Sequence, residues 1–294
     1  METIQHVDLK ETKNRLKKEQ RRLAIRGFLK NRLAVTGGVI TTIIVLLILL
    51  APLIVSQDPY SMVVTDKLQG PSSEHWFGTD NFGRDLFSRV IYGLQNSMMV
   101  GFVVALITAI IGTIIGLYAS YYRVLDGILM RICDSLMAFP AILLAIAIMA
   151  ALGPTTMNVI IAVSIVYTPF VARTVRSSAL VIREQTYIEA MEAQGTNSSR
   201  IIWKHMAINT LSPLIVQATF IFAEAIIVEA ALSFLGVGVP APEPTLGNIL
   251  FDGKIFIYNA WWLVVFPGVF MVLSVLGINL LGDGLRDVLS AKRK

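Results

Sequence analysis

Charged and reactive side chains are scarce in this chain of 294 residues. Asp, Glu, Lys and Arg make up 15% of it, and there are one cysteine and three histidines. A single thiol, Cys133, excludes an internal disulfide and leaves the redox compartment open. His6, His75 and His205 are scattered, with no metal-ligand spacing, so no metal site is expected. No G-x-x-x-x-G-K-[ST] stretch exists, so the chain builds no phosphate cradle of its own. No Ser/His/Asp or Cys/His constellation stands out. His205 and Ser212 make a poor pair with no orienting acid nearby. These absences argue against an enzyme acting alone: no catalytic residue and no cofactor bound by this chain are expected.

What is abundant is apolar. Hydrophobic residues reach 55%, in long blocks, and the mean hydropathy is +0.67. An all-α protein with several transmembrane helices follows, with the lipid bilayer as its surroundings. Residues 1–32 form a basic tail with ten Lys/Arg, suited to anionic headgroups; nucleic acid is not expected beside a membrane span. Residues 33–55 carry no charge and form a first span. A cleaved signal peptide is disfavoured by the long basic region and by an apolar run longer than a typical signal core. Residues 56–95 form a polar loop rich in turn residues, and residues 96–285 a five-helix core. Its helices are expected at about Ser97–Tyr122, at 126–152 with a kink at Pro140, at Met157–Ala172, Leu211–Gly236 and Ile255–Gly282. Ser135 to Ala172 is uncharged over 38 residues, ~57 Å of helix, so Gly153-Pro154 must divide it into two crossings. Tyr118, Tyr121, Tyr122, Trp261 and Trp262 are expected in interfacial belts. Residues 286–294 form a second basic tail.

Charge asymmetry orients this arrangement. With six spans and the N-terminus inside, Lys67, Arg84, Arg89 and Lys254 are the only outer cations of the 25. Both termini, and the polar segment 177–212 between spans four and five, are therefore expected in the cytosol. Four ionisable residues fall in or beside spans. Arg131 and Asp134, three apart, are expected to pair locally; a transport role is the alternative. Glu224 and Glu229 are five apart and cannot share one helix face. They fit a polar lining or proton relay on one reading, and inter-helix hydrogen bonding on the other.

The longest polar stretch after the tail is Arg183 to Pro213. It begins helical, breaks at Gly195-Thr196-Asn197-Ser198-Ser199, and restarts as an amphipathic piece from Arg200 to His205. Glu189-Ala190, Gly195, Ile201/Ile202, His205, Asn209 and Pro213 resemble the cytosolic "EAA" loop of ABC importer permeases. Three further stretches narrow the resemblance to the C-type permease subunits of dipeptide, oligopeptide and nickel importers. They are Gly78-Thr79-Asp80-x-x-Gly83-Arg84-Asp85 in the outer loop, Met130-Arg131-x-x-Asp134 before Pro140, and Leu232-Ser233-Phe234-Leu235-Gly236-Val237-Gly238 closing span five. Met191, Ile208, Glu192 and Gln194 depart from the family's loop pattern.

The resemblance implies a type I ABC importer permease fold in the bacterial plasma (inner) membrane. It implies a second permease, two ATP-binding subunits holding ATP and Mg²⁺, and an extracytoplasmic substrate-binding protein docking on the outer loops. It also implies that Glu189, Ala190, Gly195, Arg200, Ile201, Ile202, Trp203 and His205 contact an ATPase. In that loop Gly195 supplies the turn, Glu189 is free to pair with Arg183 or Arg200, and Ile201 to Trp203 offer an apolar anchor. Peptides are the expected cargo, and nickel or a metal chelate the alternative. Two rivals stand outside the family: a proton-coupled transporter using Glu224 and Glu229, weakened by the lack of a second copy of the span pattern, and a membrane scaffold without transport.

Overall fold

A computed structural model describes residues 19, 22 and 26–290, with the backbone alone at 290. Most of the expected headgroup-binding tail, and residues 291–294, lie outside the described residues. All regular elements among the described residues are helices.

Helix α1 (Arg32–Leu49) starts where the Asn31 side chain accepts from the Leu33 and Ala34 N–H groups, and a short α2 (Ala51–Ile54) carries a proline in its first turn. Helix α3 (Leu86–Tyr121) is 36 residues long. It begins three turns before the expected Ser97, because Asp85 caps the Ser88 N–H and Leu86, Val90 and Leu94 are buried. The third span is not one kinked helix. Helices α4 (Arg123–Met137) and α5 (Ala141–Leu152) meet at 93°. Pro140 lacks an N–H and pushes Phe139 out of helical geometry, so the ladder stops instead of bending. At 12 residues, α5 rises only ~18 Å and cannot cross ~30 Å of hydrocarbon alone. Five described helices are long and apolar enough to span, or six with the bent pair counted as one.

Helix α6 (Thr156–Arg183) continues well past the expected end at Ala172. Helix α7 (Thr186–Ala193) follows, and then α8 (Ser198–Phe234), a single run of 37 residues. The piece from Arg200 to His205 is thus not separate: it is the first part of span five, joined through a π-helical turn at Ile201–Met206. Helices α9 (Leu246–Gly253) and α10 (Trp262–Ser290) complete the fold, with α1 laid along α10.

Helix α6 lies at the centre, packed on α3 and α8. The α3–α6 contact depends on small residues: a Cβ on Gly116 would lie 2.6 Å from the Ala172 carbonyl oxygen, and one on Gly112 would lie 2.6 Å from the Val171 Cβ. Gly116→Leu is expected to force these helices apart, at a cost of about 1–3 kcal/mol from overpacking. Thermal melting in detergent reads the effect, and an unchanged midpoint would contradict it.

Candidate functional site

The two ends of the bundle carry different devices. At one end lies a hairpin made of the last turns of α6, helix α7, a corner at 194–197 and the first turns of α8. Glu189 sits in the first turn of α7, where a negative charge suits the helix dipole. Gly195 turns the corner with φ +72°, and no atom lies within 4 Å of where its Cβ would be. Thr196 N–H returns to the Met191 carbonyl, closing the turn. Asn197 then caps the restart by accepting from the Ser199 N–H.

The face of this hairpin divides the expected anchor. Ile201 and Ile202 are fully buried in the protein's own core, together with Ile188 and Met206. The π turn, bonded i to i+5, widens the helix enough to keep both isoleucines inward. Trp203 is 43% exposed and packs edge-on against Tyr118. Glu189, Ala190, Arg200 and Lys204 are exposed, and His205 is half-buried. Glu189 makes no ion pair among the described residues. Arg183 instead lies over the Tyr121 ring and donates to the Ser120 carbonyl, while the Tyr121 hydroxyl donates to Ser198. Tyr118 and Tyr121 therefore hold the hairpin against α3 instead of forming a plain interfacial belt.

Beneath the hairpin, the expected Arg131–Asp134 pair does not form. Asp134 pairs with Arg173, and Asp126 takes both the Nε and the Nη2 of Arg176, the latter at 2.6 Å. Arg131 is exposed with no ion pair among the described residues. The partners come from α6 because a cation 39 or 50 positions away can approach head-on across the α4–α6 contact, which an i,i+3 neighbour cannot do as well.

At the opposite end, the outer-loop motif is a buried polar knot. Asp80 accepts from the Phe82 and Arg84 N–H groups, and from Arg84 Nε at 2.6 Å; Arg89 Nε lies at 3.6 Å. Asp85 takes Ser88 N–H and Oγ–H and meets His75 Nδ1 at 3.0 Å. Thr79 accepts from the Gln69 N–H, and its carbonyl receives the Trp262 indole N–H. Trp262, expected in an interfacial belt, is therefore buried, while Trp261 remains half exposed. Gly78 and Gly83 both have positive φ; at Gly83 (+76°) a Cβ would fall 1.8 Å from the Val63 carbonyl oxygen, so no other residue fits.

Asp252 of α9 joins this knot, 3.6 Å from Arg84. Burial raises its carboxyl above the ordinary carboxylate range; Arg84 and Arg89 pull it back and Asp80 adds to the rise. The folded chain therefore holds this proton more tightly than the unfolded one. The associated stability is present below the ordinary carboxylate pKa and is lost as pH rises through the raised value. Asp252→Asn should remove that loss, so its melting midpoint should depend less on pH across the weakly acid range; parallel profiles would contradict the assignment.

Glu224 and Glu229 have separate environments, as their spacing requires. Glu229 is fully buried and accepts from Ser97 Oγ at 2.7 Å and Ser233 Oγ at 2.8 Å. Those hydroxyls accept in turn from the Leu246 and Val239 N–H groups. Glu229 thus ties α3, α8, the segment after α8 and the start of α9 into one network, which is the inter-helix reading. Glu224 is exposed, and among the described residues its one side-chain hydrogen bond comes from the Tyr167 hydroxyl, which donates to it at 3.3 Å. No sequence signal singled out Tyr167, because the contact joins helices 57 residues apart.

This helical architecture has solved counterparts. The fold is similar to chains from inward-facing structures of the MetNI methionine ABC transporter, with a TM-score of 0.57 and 23% identity over 68% of this chain and 96% of that one. At that identity the likeness concerns the fold alone. Residues 109–294 match the family described as binding-protein-dependent transport system inner membrane component, and residues 19–71 match the N-terminal TM domain of oligopeptide transport permease C. A putative peptide transport system permease protein of Brucella abortus is 50% identical, covering 92% of each chain. The dipeptide transport system permease protein DppC of Alkalihalophilus pseudofirmus is 48% identical, covering 93% of this chain and 90% of its own. The chain belongs to the binding-protein-dependent transport system inner membrane component family. It is a multi-pass permease component of an ABC transporter.

Proposed function

We propose that this chain is one of two permease subunits of an importer for di- or oligopeptides, driven by partner ATPases. The observation that supports it most is the identity of 48–50% to permeases named for peptide or dipeptide transport, over nearly the full length of both chains. On this reading both termini and the hairpin at 186–206 face the cytosol. The exposed Glu189, Ala190, Arg200 and Trp203 meet a groove on an ATPase, which holds ATP and Mg²⁺, while Gly195 sets the corner. The buried isoleucines transmit the push to α3, α6 and α8, rocking the spans between inward- and outward-open states. The knot gives the outer loops a fixed shape on which a substrate-binding protein can dock.

The proton-coupled alternative has little to stand on, since Glu229 is sealed in a hydroxyl network away from Glu224. Reconstitution of the co-purified complex in vesicles is the test. Uptake of a radiolabelled dipeptide should require ATP and the binding protein, and should be insensitive to an uncoupler. Uptake that persists without ATP and collapses with the uncoupler would overturn the proposal.

A further inference from the structure

Glu224 has no structural partner that explains its charge. It lies ten residues before the end of α8 at Phe234, ~15 Å along the axis. Its contact, Tyr167, lies eleven residues into α6 from Thr156, ~17 Å. Both are therefore near the midplane of a ~30 Å hydrocarbon layer. An ionisable residue facing lipid there costs at least ~2.5–3.5 kcal/mol, so this face of α8 is not a lipid face. A purely structural bond to one tyrosine hydroxyl would need no carboxylate, and no cation among the described residues pairs with Glu224.

The neighbourhood has a pattern. The Thr174 hydroxyl, shared between the Phe170 carbonyl at 3.0 Å and Gln217 Oε1 at 3.3 Å, faces Gln217 across the seam. This second polar rung lies seven residues from the first on both helices, toward the hairpin end, as antiparallel α6 and α8 require. Gln217, Phe220 and Glu224 follow one face of α8 at i, i+3 and i+7. The same seam opens into a cavity of about 360 Å³ lined by Thr174, Pro213, Gln217, Phe220 and Arg286. A polar, partly hollow seam through a hydrophobic bundle is how a wet path differs from a lipid surface.

We propose that the α6–α8 seam lines the substrate path and that Glu224, oriented by the Tyr167 hydroxyl, is a specificity-determining residue that receives the substrate's cationic ammonium group. This rests on the importer reading above and adds to it a residue and the charge it selects. A carboxylate with a single neutral donor keeps acceptor sites open for an incoming N–H cation, and such charge-assisted bonds are among the stronger ones.

The test uses the complete transporter in vesicles with radiolabelled alanyl-alanine. Glu224→Gln should slow initial ATP-dependent uptake about tenfold or more, as expected for loss of a hydrogen bond to a charged group. Glu224→Asp should recover most of the rate, and the complex should co-purify intact with each variant. Glu224→Gln working at the wild-type rate would overturn the proposal. So would loss of co-purification in that variant, which would mean that Glu224 pairs with a cation of the second permease. A second arm does not depend on uptake. With Cys133→Ser as background, Glu224→Cys in the assembled complex should react with a membrane-impermeant maleimide in at least one nucleotide state; no reaction in any state overturns the wet seam. If the wild-type complex moves no dipeptide with ATP, the importer reading falls, and the labelling arm still decides whether this face is wet.

Discussion

Gly195→Val is expected to abolish substrate-stimulated ATP hydrolysis by the assembled transporter while leaving the complex able to purify intact. The reasoning separates two effects of a side chain at this corner. Space is not the obstacle, since nothing lies within 4 Å of the Cβ position. Conformation is: φ is +72°, and an L-residue there costs ~1–2 kcal/mol, more when β-branched. That strain is small beside the stability of a six-span bundle, so assembly survives. It is large beside the energy that holds a four-residue corner, so α7 should shift against α8 and misplace the exposed face carrying Glu189, Ala190 and Trp203. Gly195→Asn is the control, because asparagine tolerates the left-handed region and should retain most of the coupling. ATPase assays in vesicles, with and without loaded binding protein, read the result. Normal stimulation in the valine variant would sink the role given to this hairpin.

Asp80→Ala is expected to lose most of the folded protein. Asp80 is 3% exposed and faces Arg84 and Arg89, each also 3% exposed. Removing it leaves two buried guanidinium groups facing each other, with Asp252 as the nearest remaining acid. Breaking a buried pair from one side typically costs about 3–5 kcal/mol. The turn would suffer as well, since the Phe82 and Arg84 N–H groups lose their acceptor. Asp80→Asn keeps an acceptor oxygen and should fall between the two. Yield in membranes and the apparent melting midpoint measure the effect; a variant as abundant and as stable as the wild type would show the knot to be dispensable.

The sequence carried more of the fold than of the site. The apolar spans were readable because hydrocarbon thickness demands long uncharged runs, although the expected third span is a pair of helices meeting at 93°. Helix ends were not readable to the same degree. Leu86 to Asn96 looks like loop because it follows a turn-rich motif, yet it is helical once Asp85 caps it and α9 and α10 cover it. Pro140 is visible as a break, but whether a proline bends a helix or ends it depends on what each half packs against. The hairpin's form was legible in Gly195 and its flanking helical pattern. The direction of its side chains was not, since Ile201, Ile202 and Trp203 read as one apolar patch until the core claims two of them.

Charge pairing shows the same division. The sequence offers Arg131 as the partner of Asp134 because it is near in number. The structure gives Asp134 to Arg173 and Asp126 to Arg176, because two helices crossing bring cations that no local spacing predicts. The two glutamates of span five look alike in sequence: both are isolated acids among apolar residues. One is buried among serine hydroxyls, and the other stands exposed on a seam beside Tyr167.

By itself, then, the amino-acid sequence determined that this is a helical membrane protein, and it marked a long polar segment, Arg183 to Pro213, that interrupts its apolar spans. Both follow from one-dimensional facts: the lengths of the apolar runs and the placement of polar and charged residues between them. Only the tertiary structure decided which acids brace the fold and which face is left open. Burial and partnership are properties of residues brought together from distant parts of the chain.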